Sequence, residues 1–290
     1  QDNPLIIHVP DSSWLARYCE DVPPEAYALA EKFWPGPLTM ILKKKDKVPD
    51  SITGGLGTVA IRMPSHPVAA ELIRSSGVYI AAPSANTSGK PSPTRAEHVI
   101  NDLSGRIDMI IQDDTVDIGV ESTIIDLSEE VPTILRPGYI TQAMFEEAIG
   151  KTIIDLAIMG SLKEGVIPKA PGMKYKHYAP NADVTIVEGP HEKVVQYINR
   201  QVSEKEAEGH RCAVMATDET KDKYICNDIV SAGHKDDELS VARNLYAILR
   251  DFDKQKVEYV YSESFETKNV GQAVMNRLIK AAGHKIVKLD

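Results

Sequence analysis

Short apolar segments alternate with amphipathic segments along most of the chain, and this alternation limits the fold more than any other feature. Helical segments are too few in the first half for a strict β-α-β repeat, so a sheet of mixed strand direction fits better than a doubly wound parallel sheet. The strands predicted there are Leu5–Val9, Leu38–Lys43, Thr58–Met63, Val78–Ala82, Met109–Gln112, Ser122–Asp126 and Thr133–Arg136. From Ala182 onward strands and helices alternate regularly, which predicts a small α/β domain with a parallel sheet.

Between these two halves lies a stretch rich in Gly and Pro that ends close to Tyr175, His177 and Tyr178. It has the composition of a linker, although a plain spacer rarely carries two tyrosines and a histidine. We therefore predict a first α/β domain over residues 1–150, a linker over residues 151–181 and a second α/β domain over residues 182–290. A length of 290 residues suits two domains of ordinary size.

The distribution of charge excludes a broad nucleic-acid-binding face. Residues 1–150 carry 12 Lys and Arg against 21 Asp and Glu, while residues 151–290 carry 21 of each. A protein that binds nucleic acid over a wide face is normally basic, so any contact with RNA is expected to be local or transient. The apolar runs are too short to cross a bilayer. The cysteines Cys19, Cys212 and Cys226 lack metal-ligand spacing and predict reduced thiols in a cytoplasmic protein.

A loop of small polar residues follows the predicted strand Val78–Ala82. Its hydrogen-bonding side chains are Ser84, Asn86, Thr87, Ser88 and Ser92. Ligands of α/β sheets bind outside the carboxyl ends of strands, and hydroxyl, amide and backbone N–H groups can surround phosphate oxygens. The plainer interpretation is a loop that caps the helix predicted from Arg95 onward. The position directly after a buried strand favours a ligand site.

Two arginines follow apolar strands. Arg62 is most simply an exposed strand residue, but a guanidinium at the mouth of a pocket could also bind a carboxylate through two hydrogen bonds. Arg136 and Ser122 would suit a phosphate and an ammonium group, although spacing alone leaves open whether they meet. The Gly-rich turn before Thr58 precedes a strand rather than a helix, so it predicts a hairpin turn and not a dinucleotide site. No Ser-His-Asp or Cys-His arrangement supports a hydrolase.

Six motifs in this order resemble those of the YrdC-type threonylcarbamoyl-AMP synthases: Asn3–His8, Trp34–Thr39, Val59–Pro64, Ala82–Gly89, Glu121–Thr123 and Leu135–Gly138. The linker and the second domain resemble the long, two-domain branch of that family. The resemblance implies an α/β fold with a YrdC-like mixed, twisted sheet and helices, plus a smaller Rossmann-like C-terminal domain. It also implies that L-threonine, bicarbonate and ATP are joined into threonylcarbamoyl-AMP with release of pyrophosphate, the first step of threonylcarbamoyladenosine modification of tRNA.

The resemblance further implies roles for individual residues. The expected L-threonine contacts are His8, Arg62, the backbone of Ala82, and Ser122. The expected ATP contacts are Asn3, Thr58, Ser84, Asn86, Ser92, Arg136 and His177. No side chain is expected to act as nucleophile or base, because the threonine carbamate can itself attack the α-phosphorus. Mg²⁺ is expected to arrive with ATP, with no protein ligand assigned. The expected partners are ATP, L-threonine, bicarbonate and a downstream tRNA threonylcarbamoyl transferase complex.

Two other functions stay open. One is a non-catalytic YrdC-like module that binds a nucleotide or RNA, which the acidic first half disfavours. The other is a related carbamoyl-adenylating enzyme that modifies a protein thiol, and such enzymes usually carry cysteine pairs. Relative to the family, the chain begins at Gln1, where a Lys-x-Arg-Pro element would just have ended. That element is expected to supply two cationic ATP contacts, so residues 1–290 alone are predicted to be poorly active.

Overall fold

The computed structural model describes residues 4–113, 116–155, 158 and 178–290. The strands are β1 (Ile6–His8), β2 (Leu38–Lys43), β3 (Thr58–Arg62), β4 (Ile80–Ala82), β5 (Thr123–Asp126), β6 (Thr133–Arg136), β7 (Ile153–Ile154), β8 (Asp183–Glu188), β9 (Cys212–Ala216), β10 (Asp228–Ser231), β11 (Tyr259–Glu263) and β12 (Ile286–Lys288). The helices are α1 (Trp14–Tyr18), α2 (Pro24–Phe33), α3 (Asp50–Thr53), α4 (Pro67–Ser76), α5 (Ala96–Leu103), α6 (Gln142–Ile149), α7 (His191–Ala207), α8 (Glu238–Lys254) and α9 (Asn269–Ala281).

Contacts within the chain divide it into two compact bodies. The N-terminal body comprises the described residues within 1–83 and 121–175, and the C-terminal body comprises those within 84–120 and 176–290. The segment 84–120 therefore groups with the C-terminal residues, although it lies within the first half of the sequence. The domain limits at residues 150 and 181 stay a prediction.

The N-terminal body is built on a mixed sheet, as predicted. Among its described residues the strand order is β4-β1-β3-β2-β5-β6-β7. The pairs β1–β3, β2–β5 and β6–β7 are parallel, whereas β1–β4, β2–β3 and β5–β6 are antiparallel. This alternation explains why the sequence carries few helices here, since antiparallel neighbours need no helical crossover.

The two faces of this sheet bury different residues, because successive side chains of a strand point to opposite sides. Ile7, Met40 and Ile61 belong to the large core that also contains residues of α2 and α6. On the opposite face, Ile6 and Ile41 belong to a smaller apolar cluster. The same face carries polar side chains at the strand ends, because His8 lies two residues after Ile6 and Thr39 lies two residues before Ile41.

Helix α2 shows how local sequence sets an element that packs on this sheet. It begins with Pro24 at its first turn, where the missing N–H is not needed, and a proline at position 35 lies just beyond its end. Ala26, Leu29 and Phe33 are buried at helical spacing. The ring of Phe33 meets that of Phe145 on α6 edge-on, with centroids 6.0 Å apart. Burial of a large apolar side chain such as Leu29 or Phe33 stabilises the fold by about 1.5–3 kcal/mol relative to leaving it exposed.

The C-terminal body contains a parallel sheet, as predicted from the regular alternation after Ala182. Its strand order is β10-β9-β11-β8-β12, and every pair is parallel. Helix α7 buries Val194, Ile198 and Val202, one residue on each successive turn. Parallel strands need crossover connections, and the helices α7, α8 and α9 lie between strands in sequence as that rule requires.

One predicted strand is wrong. Residues 109–112 form no strand, and the side chains of Met109 and Ile111 are 77% and 60% exposed. Apolar composition alone suggested a strand there, but no neighbouring strand pairs with this segment. None of the helices in the described ranges combines the length and the apolar character that a membrane span requires.

Candidate active site

A row of polar side chains crosses the N-terminal sheet. His8 on β1 is paired in register with Arg62 on β3, and Arg62 is paired with Thr39 on β2. Thr39 is paired with Ile124 on β5, which is paired with Arg136 on β6. Residues paired across a sheet share a face, so these side chains form one line. Its polar members, His8, Arg62, Thr39 and Arg136, are here called the basic row. It lies where the parallel strands β1 and β3 end.

Arg136 joins the basic row because of an irregularity between β5 and β6. Ile125 pairs with Ile134, but the next pair along the strands is Ile124 with Arg136, so Leu135 is an extra residue. A one-residue insertion of this kind changes the face to which the following side chain points. In a regular strand Arg136 would share the face of Ile134, within the large core. The bulge places it on the opposite face.

The Trp34–Thr39 motif orients Arg62. The Nε group of Arg62 donates a hydrogen bond of 3.1 Å to the carbonyl of Gly36. The N–H of Gly36 in turn donates to the carbonyl of Met63, at 2.9 Å. A Cβ atom at position 36 would lie 2.4 Å from the carbonyl oxygen of Phe33, so only glycine fits this turn without a shift of the backbone. The turn thus holds the guanidinium by one edge and leaves its other edge for a ligand.

The electrostatics of the basic row favour an anion. Burial, and then the nearby charge of Arg136, lower the pKa of Arg62 to about 10. Among the described residues no ion pair involves Arg62. Both effects disfavour the charged form of Arg62, and a negative group bound beside its guanidinium would offset them.

His8 contributes a neutral imidazole to the basic row. Its Nδ1 atom lies 3.2 Å from the carbonyl oxygen of Ile80, which can only accept, so Nδ1 carries the proton and donates. Burial, and then the charge of Arg62, lower the pKa of His8 below its ordinary value. Nε2 is consequently an acceptor at neutral pH. A ligand hydroxyl or N–H could donate to it.

Two hydroxyl groups, those of Ser122 and Thr39, continue the hydrogen bonding that starts at Arg136. Arg136 donates from Nε to the Ser122 carbonyl at 3.0 Å and from Nη2 to the Ser122 hydroxyl at 3.1 Å. The Ser122 and Thr39 hydroxyl oxygens are 2.7 Å apart, and both side chains are buried. Sequence reasoning missed Thr39, although it ends one of the six motifs. The signal was its place directly after the glycine turn that holds Arg62.

Gly138 allows the start of β5 to take this position. A Cβ atom there would lie 2.6 Å from the backbone nitrogen and the hydroxyl oxygen of Thr123. The Thr123 hydroxyl donates to the Ile140 carbonyl at 2.9 Å and accepts from the Ile140 N–H at 3.0 Å. Gly138 and these two hydrogen bonds hold the turn after β6 against Thr123, which directly follows Ser122.

The other residues predicted for the N-terminal body lie elsewhere. Ala82 is the last residue of β4, an edge strand in the described part of the sheet, so one side of its backbone is outside the ladder. Thr58 begins β3 and lies four residues before Arg62, roughly 13 Å along the strand. It is paired with Lys43 and is not part of the basic row. Asn3 lies outside the described residues.

The polar loop predicted to bind phosphate belongs to the C-terminal body. The Asn86 side-chain amide donates to the carbonyls of Thr87 at 2.8 Å and Lys90 at 3.3 Å, so it braces the loop from within. Its buried Oδ1 has no hydrogen-bond partner in the described part of the chain. Ser84 is exposed, and Ser92 is buried. His177 lies outside the described residues.

The described residues show no group of three His, Cys, Asp or Glu side chains that could hold a metal ion. The three cysteines are free thiols. Burial raises the pKa of Cys19 to about 12 and that of Cys212 to about 11. Such thiols stay protonated at neutral pH and are poor nucleophiles.

The chain is similar to known proteins along both halves of its sequence. The Sua5/YciO/YrdC family model, described as telomere recombination, matches residues 1–138. A second family model, described as the C-terminal domain of threonylcarbamoyl-AMP synthase, matches residues 140–283. The threonylcarbamoyl-AMP synthase of Pyrococcus abyssi is 46% identical over 288 residues, which cover 99% of this chain and 82% of that protein. The synthase of Bacillus subtilis is 45% identical over 288 residues, covering 99% of this chain and 81% of that protein.

A solved structure shows the same fold. The crystal structure of P. abyssi Sua5 complexed with L-threonine matches with a TM-score of 0.93 and 46% identity, covering all of this chain and 83% of that chain. The match to a relative that is 46% identical extends over 99% of this chain, and so over both bodies. The chain therefore belongs to the two-domain threonylcarbamoyl-AMP synthase family.

Proposed function

We propose that the chain joins L-threonine, bicarbonate and ATP into threonylcarbamoyl-AMP and releases pyrophosphate. The observation that carries this function is the 46% identity to a threonylcarbamoyl-AMP synthase over 99% of the chain. The basic row supports the same reaction, because the groups to be bound are a carboxylate and phosphates. The product is the activated intermediate for threonylcarbamoyladenosine in tRNA.

Arg62 is the proposed partner of the threonine carboxylate. Its Nε–H is already used by Gly36, and the remaining guanidinium N–H groups can bind a carboxylate through charge-assisted hydrogen bonds. The burial and like charge that lower its pKa are both offset when a carboxylate binds. A solved relative is described as a complex with L-threonine. In this chain the motif Val59–Pro64 places Arg62 at the end of β3.

The rest of the proposed threonine site consists of His8, Ser122 and the backbone of Ala82. Neutral His8 can accept a hydrogen bond at Nε2 from the threonine hydroxyl or from the carbamate N–H. Ser122 offers a hydroxyl that Arg136 already orients. Ala82 offers backbone groups of an edge strand, which can bond to a ligand as to another strand. These assignments use acceptors and donors that suit a small polar amino acid.

The proposed ATP contacts are Asn3, Thr58, Ser84, Asn86, Ser92, Arg136 and His177. Arg136 is the best supported of them, since its charge lies close enough to Arg62 to lower that residue's pKa. For Ser84 and Ser92 the support is the small polar loop itself. For Asn86 it is a buried side-chain oxygen that the described residues leave without a partner. Asn3 and His177 rest on the motifs alone.

The chemistry needs no protein nucleophile. The threonine amine and bicarbonate form a carbamate with loss of water. A carbamate oxygen then attacks the α-phosphorus of ATP, the bond from that phosphorus to the bridging oxygen breaks, and pyrophosphate leaves with the electron pair. Catalysis thus rests on holding the reactants together and on neutralising negative charge, which the basic row can do.

Mg²⁺ is proposed to be held by the phosphates of ATP rather than by the protein. The basic row is cationic and does not fit a protein-bound divalent cation, and the described residues contain no ligand cluster elsewhere. No step above is assigned to the ion.

The proposed partner is a downstream tRNA threonylcarbamoyl transferase complex in the cytoplasm. A mixed anhydride of this kind is labile, so a consumer close by would limit its hydrolysis. The free thiols of the three cysteines suit a reducing compartment. Contact with tRNA itself is proposed to be transient at most, because the first 150 residues carry an excess of acidic side chains.

Calorimetric titration of L-threonine against the full chain, followed by a pyrophosphate-release assay, tests this function. We expect L-threonine to bind in preference to L-serine and L-valine, and pyrophosphate release to require L-threonine, bicarbonate and ATP together. The variant Arg74→Gln is the matched control for Arg62→Gln, because Arg74 is an exposed arginine paired with Glu71 on α4. Absence of threonine binding together with tight binding of tRNA would instead support the non-catalytic module.

A further inference from the structure

One arginine of helix α8, Arg250, binds the polar loop, which comprises residues 84–92. The Arg250 side chain donates to the Pro91 carbonyl from Nε at 2.9 Å and from Nη2 at 2.5 Å. Its Nη1 and Nη2 groups also lie 3.3 Å and 2.9 Å from the two carboxylate oxygens of Asp102 on α5. The Arg250 side chain is 9% exposed and that of Asp102 is 1% exposed. The pair is therefore a buried, two-pronged ion pair that also grips the loop backbone.

Asp102, the partner of Arg250, also binds the middle of the loop. Its carboxylate accepts from the Thr87 N–H at 3.3 Å and from the Lys90 ammonium at 3.4 Å. Burial acts to raise the pKa of Asp102, but the hydrogen bonds and charge of Arg250, helped by Thr87 and Lys90, hold it below its ordinary value. The carboxylate is thus charged at neutral pH. It links the residues on either side of Ser88 to α8.

Other contacts hold the same segment against α8 and the residues beside it. The Ala179 N–H donates to the Gly89 carbonyl at 3.2 Å. The Arg243 Nε group donates to the Asp117 carbonyl. A Cβ atom on Gly119 would lie 2.3 Å from the Cα atom of Arg243, so the two backbones touch. The segment 84–120 is therefore fixed to the C-terminal residues near both of its ends.

We propose that Arg250 is a positioning residue for nucleotide binding, through which the C-terminal domain sets the shape of the loop that contains Ser84, Asn86 and Ser92. The inference rests on the proposed ATP role of that loop. Loops of small polar residues have little apolar surface to hold one conformation, so an external brace decides their geometry. Arg250 supplies that brace at the Pro91 carbonyl, one residue before Ser92.

The variants Arg250→Met, Arg250→Lys and Asp102→Asn test the proposal. Arg211→Met is the matched control, because Arg211 also binds a carboxylate, that of Asp228 at 2.8 Å, and a backbone carbonyl, that of Gln255 at 2.7 Å, away from the loop. The probes are a non-hydrolysable ATP analogue and, in its absence, L-threonine, both titrated by calorimetry. Hydrogen exchange of residues 84–95 reports the loop itself.

We expect Arg250→Met to weaken binding of the ATP analogue about tenfold, since the loss of one hydrogen bond between a displaced loop and the ligand changes affinity by about that factor. L-threonine affinity should stay within about twofold. Arg250→Lys should fall between wild type and Arg250→Met. Asp102→Asn should be milder than Arg250→Met, because Arg250 keeps its bonds to Pro91. Faster exchange should be confined to residues 84–95 and absent in Arg211→Met.

The outcomes distinguish failure of the positioning role of Arg250 from failure of the proposed function. If the wild-type chain binds neither ligand, the proposed function fails. If wild type binds the ATP analogue and a folded Arg250→Met binds it equally well, the positioning role is refuted. Should Arg250→Met prove unfolded, Arg250→Lys decides: unchanged nucleotide affinity in that folded variant refutes the role. Equal losses of nucleotide affinity in Arg250→Met and Arg211→Met also refute it, because they indicate a general loss of stability.

Discussion

Replacing Arg62 by glutamine should stabilise the free protein and weaken threonine binding about 100-fold or more. At neutral pH the guanidinium is protonated in both the folded and the unfolded chain. Because burial and Arg136 lower its folded pKa to about 10, the charged form carries an unfavourable free energy in the fold. That cost is fully present at neutral pH and is relieved only as the pH rises through about 10, where the unfolded chain still binds the proton.

The size of the effect follows from the same pKa. A pKa of about 10 for this group corresponds to a cost on the order of 3 kcal/mol for the charged form. Partial exposure of the side chain reduces this figure, and loss of the hydrogen bond to Gly36 costs about 1 kcal/mol. A net gain of about 1–2 kcal/mol remains, which is a rise in Tm of roughly 2–6 °C. Loss of two charge-assisted hydrogen bonds to the carboxylate should weaken threonine binding about 100-fold or more.

Thermal denaturation with and without L-threonine measures both effects at once. Wild type should gain stability from saturating threonine, by about 2.7 kcal/mol at 100 times Kd. Arg62→Gln should melt higher than wild type without ligand and should gain at most about 0.4 kcal/mol from the same threonine concentration. Arg74→Gln should match wild type in both conditions, because that arginine is exposed. An Arg62→Gln variant that melts lower than wild type, or that gains as much stability from threonine as wild type does, would falsify the electrostatic reasoning.

Three further predictions concern the same sheet edge. Gly138→Ala places a methyl group 2.6 Å from backbone and hydroxyl atoms of Thr123, so we expect a destabilisation of about 1–3 kcal/mol and weaker threonine binding; a wild-type Tm would contradict it. Thr39→Val removes the hydroxyl that pairs with Ser122 at 2.7 Å, so Tm should fall by roughly 2–4 °C, as a melting curve will show. Burial lowers the pKa of His8, so threonine affinity should stay level from pH 8 down through the ordinary histidine range and fall only at more acid pH. Calorimetry that finds tighter threonine binding on acidification would refute the role of neutral His8 as a hydrogen-bond acceptor. The unfolded chain takes up this proton first, so stability should also fall below about pH 6.5.

The division of the chain into two bodies indicates what the second domain contributes to the polar loop. From sequence, residues 84–120 read as part of the first domain, because they follow its strand β4 and precede its strand β5. In the structure they group with residues 176–290. The reason is physical: Asp102 and the backbone at Gly119 find their partners on α8, far along the sequence. Deletion of the second domain would therefore remove support from the polar loop.

Local sequence by itself predicted most of the elements and all of the motifs, although it predicted no strand at β7, β10 or β12. The strands β2 and β6 have the predicted limits, and β1, β3, β4 and β5 differ from theirs only at the ends. Short, largely apolar runs bounded by turn residues are sufficient for this, because a strand buried on both faces has that composition. The same reasoning failed at residues 109–112, since an apolar segment becomes a strand only when another strand pairs with it. The six motifs also predicted the family.

Tertiary structure alone decided which of the motif residues meet. His8, Arg62, Thr39 and Arg136 come from strands far apart in sequence, and only the register of the sheet brings them into one row. Arg136 reaches that row through a bulge at Leu135, which no periodic pattern predicts. Register and bulges depend on pairing energies summed over whole strands, and a shift of one residue would turn these side chains to the opposite face. For that reason the sequence could name the residues but could not show the cationic site that they form together.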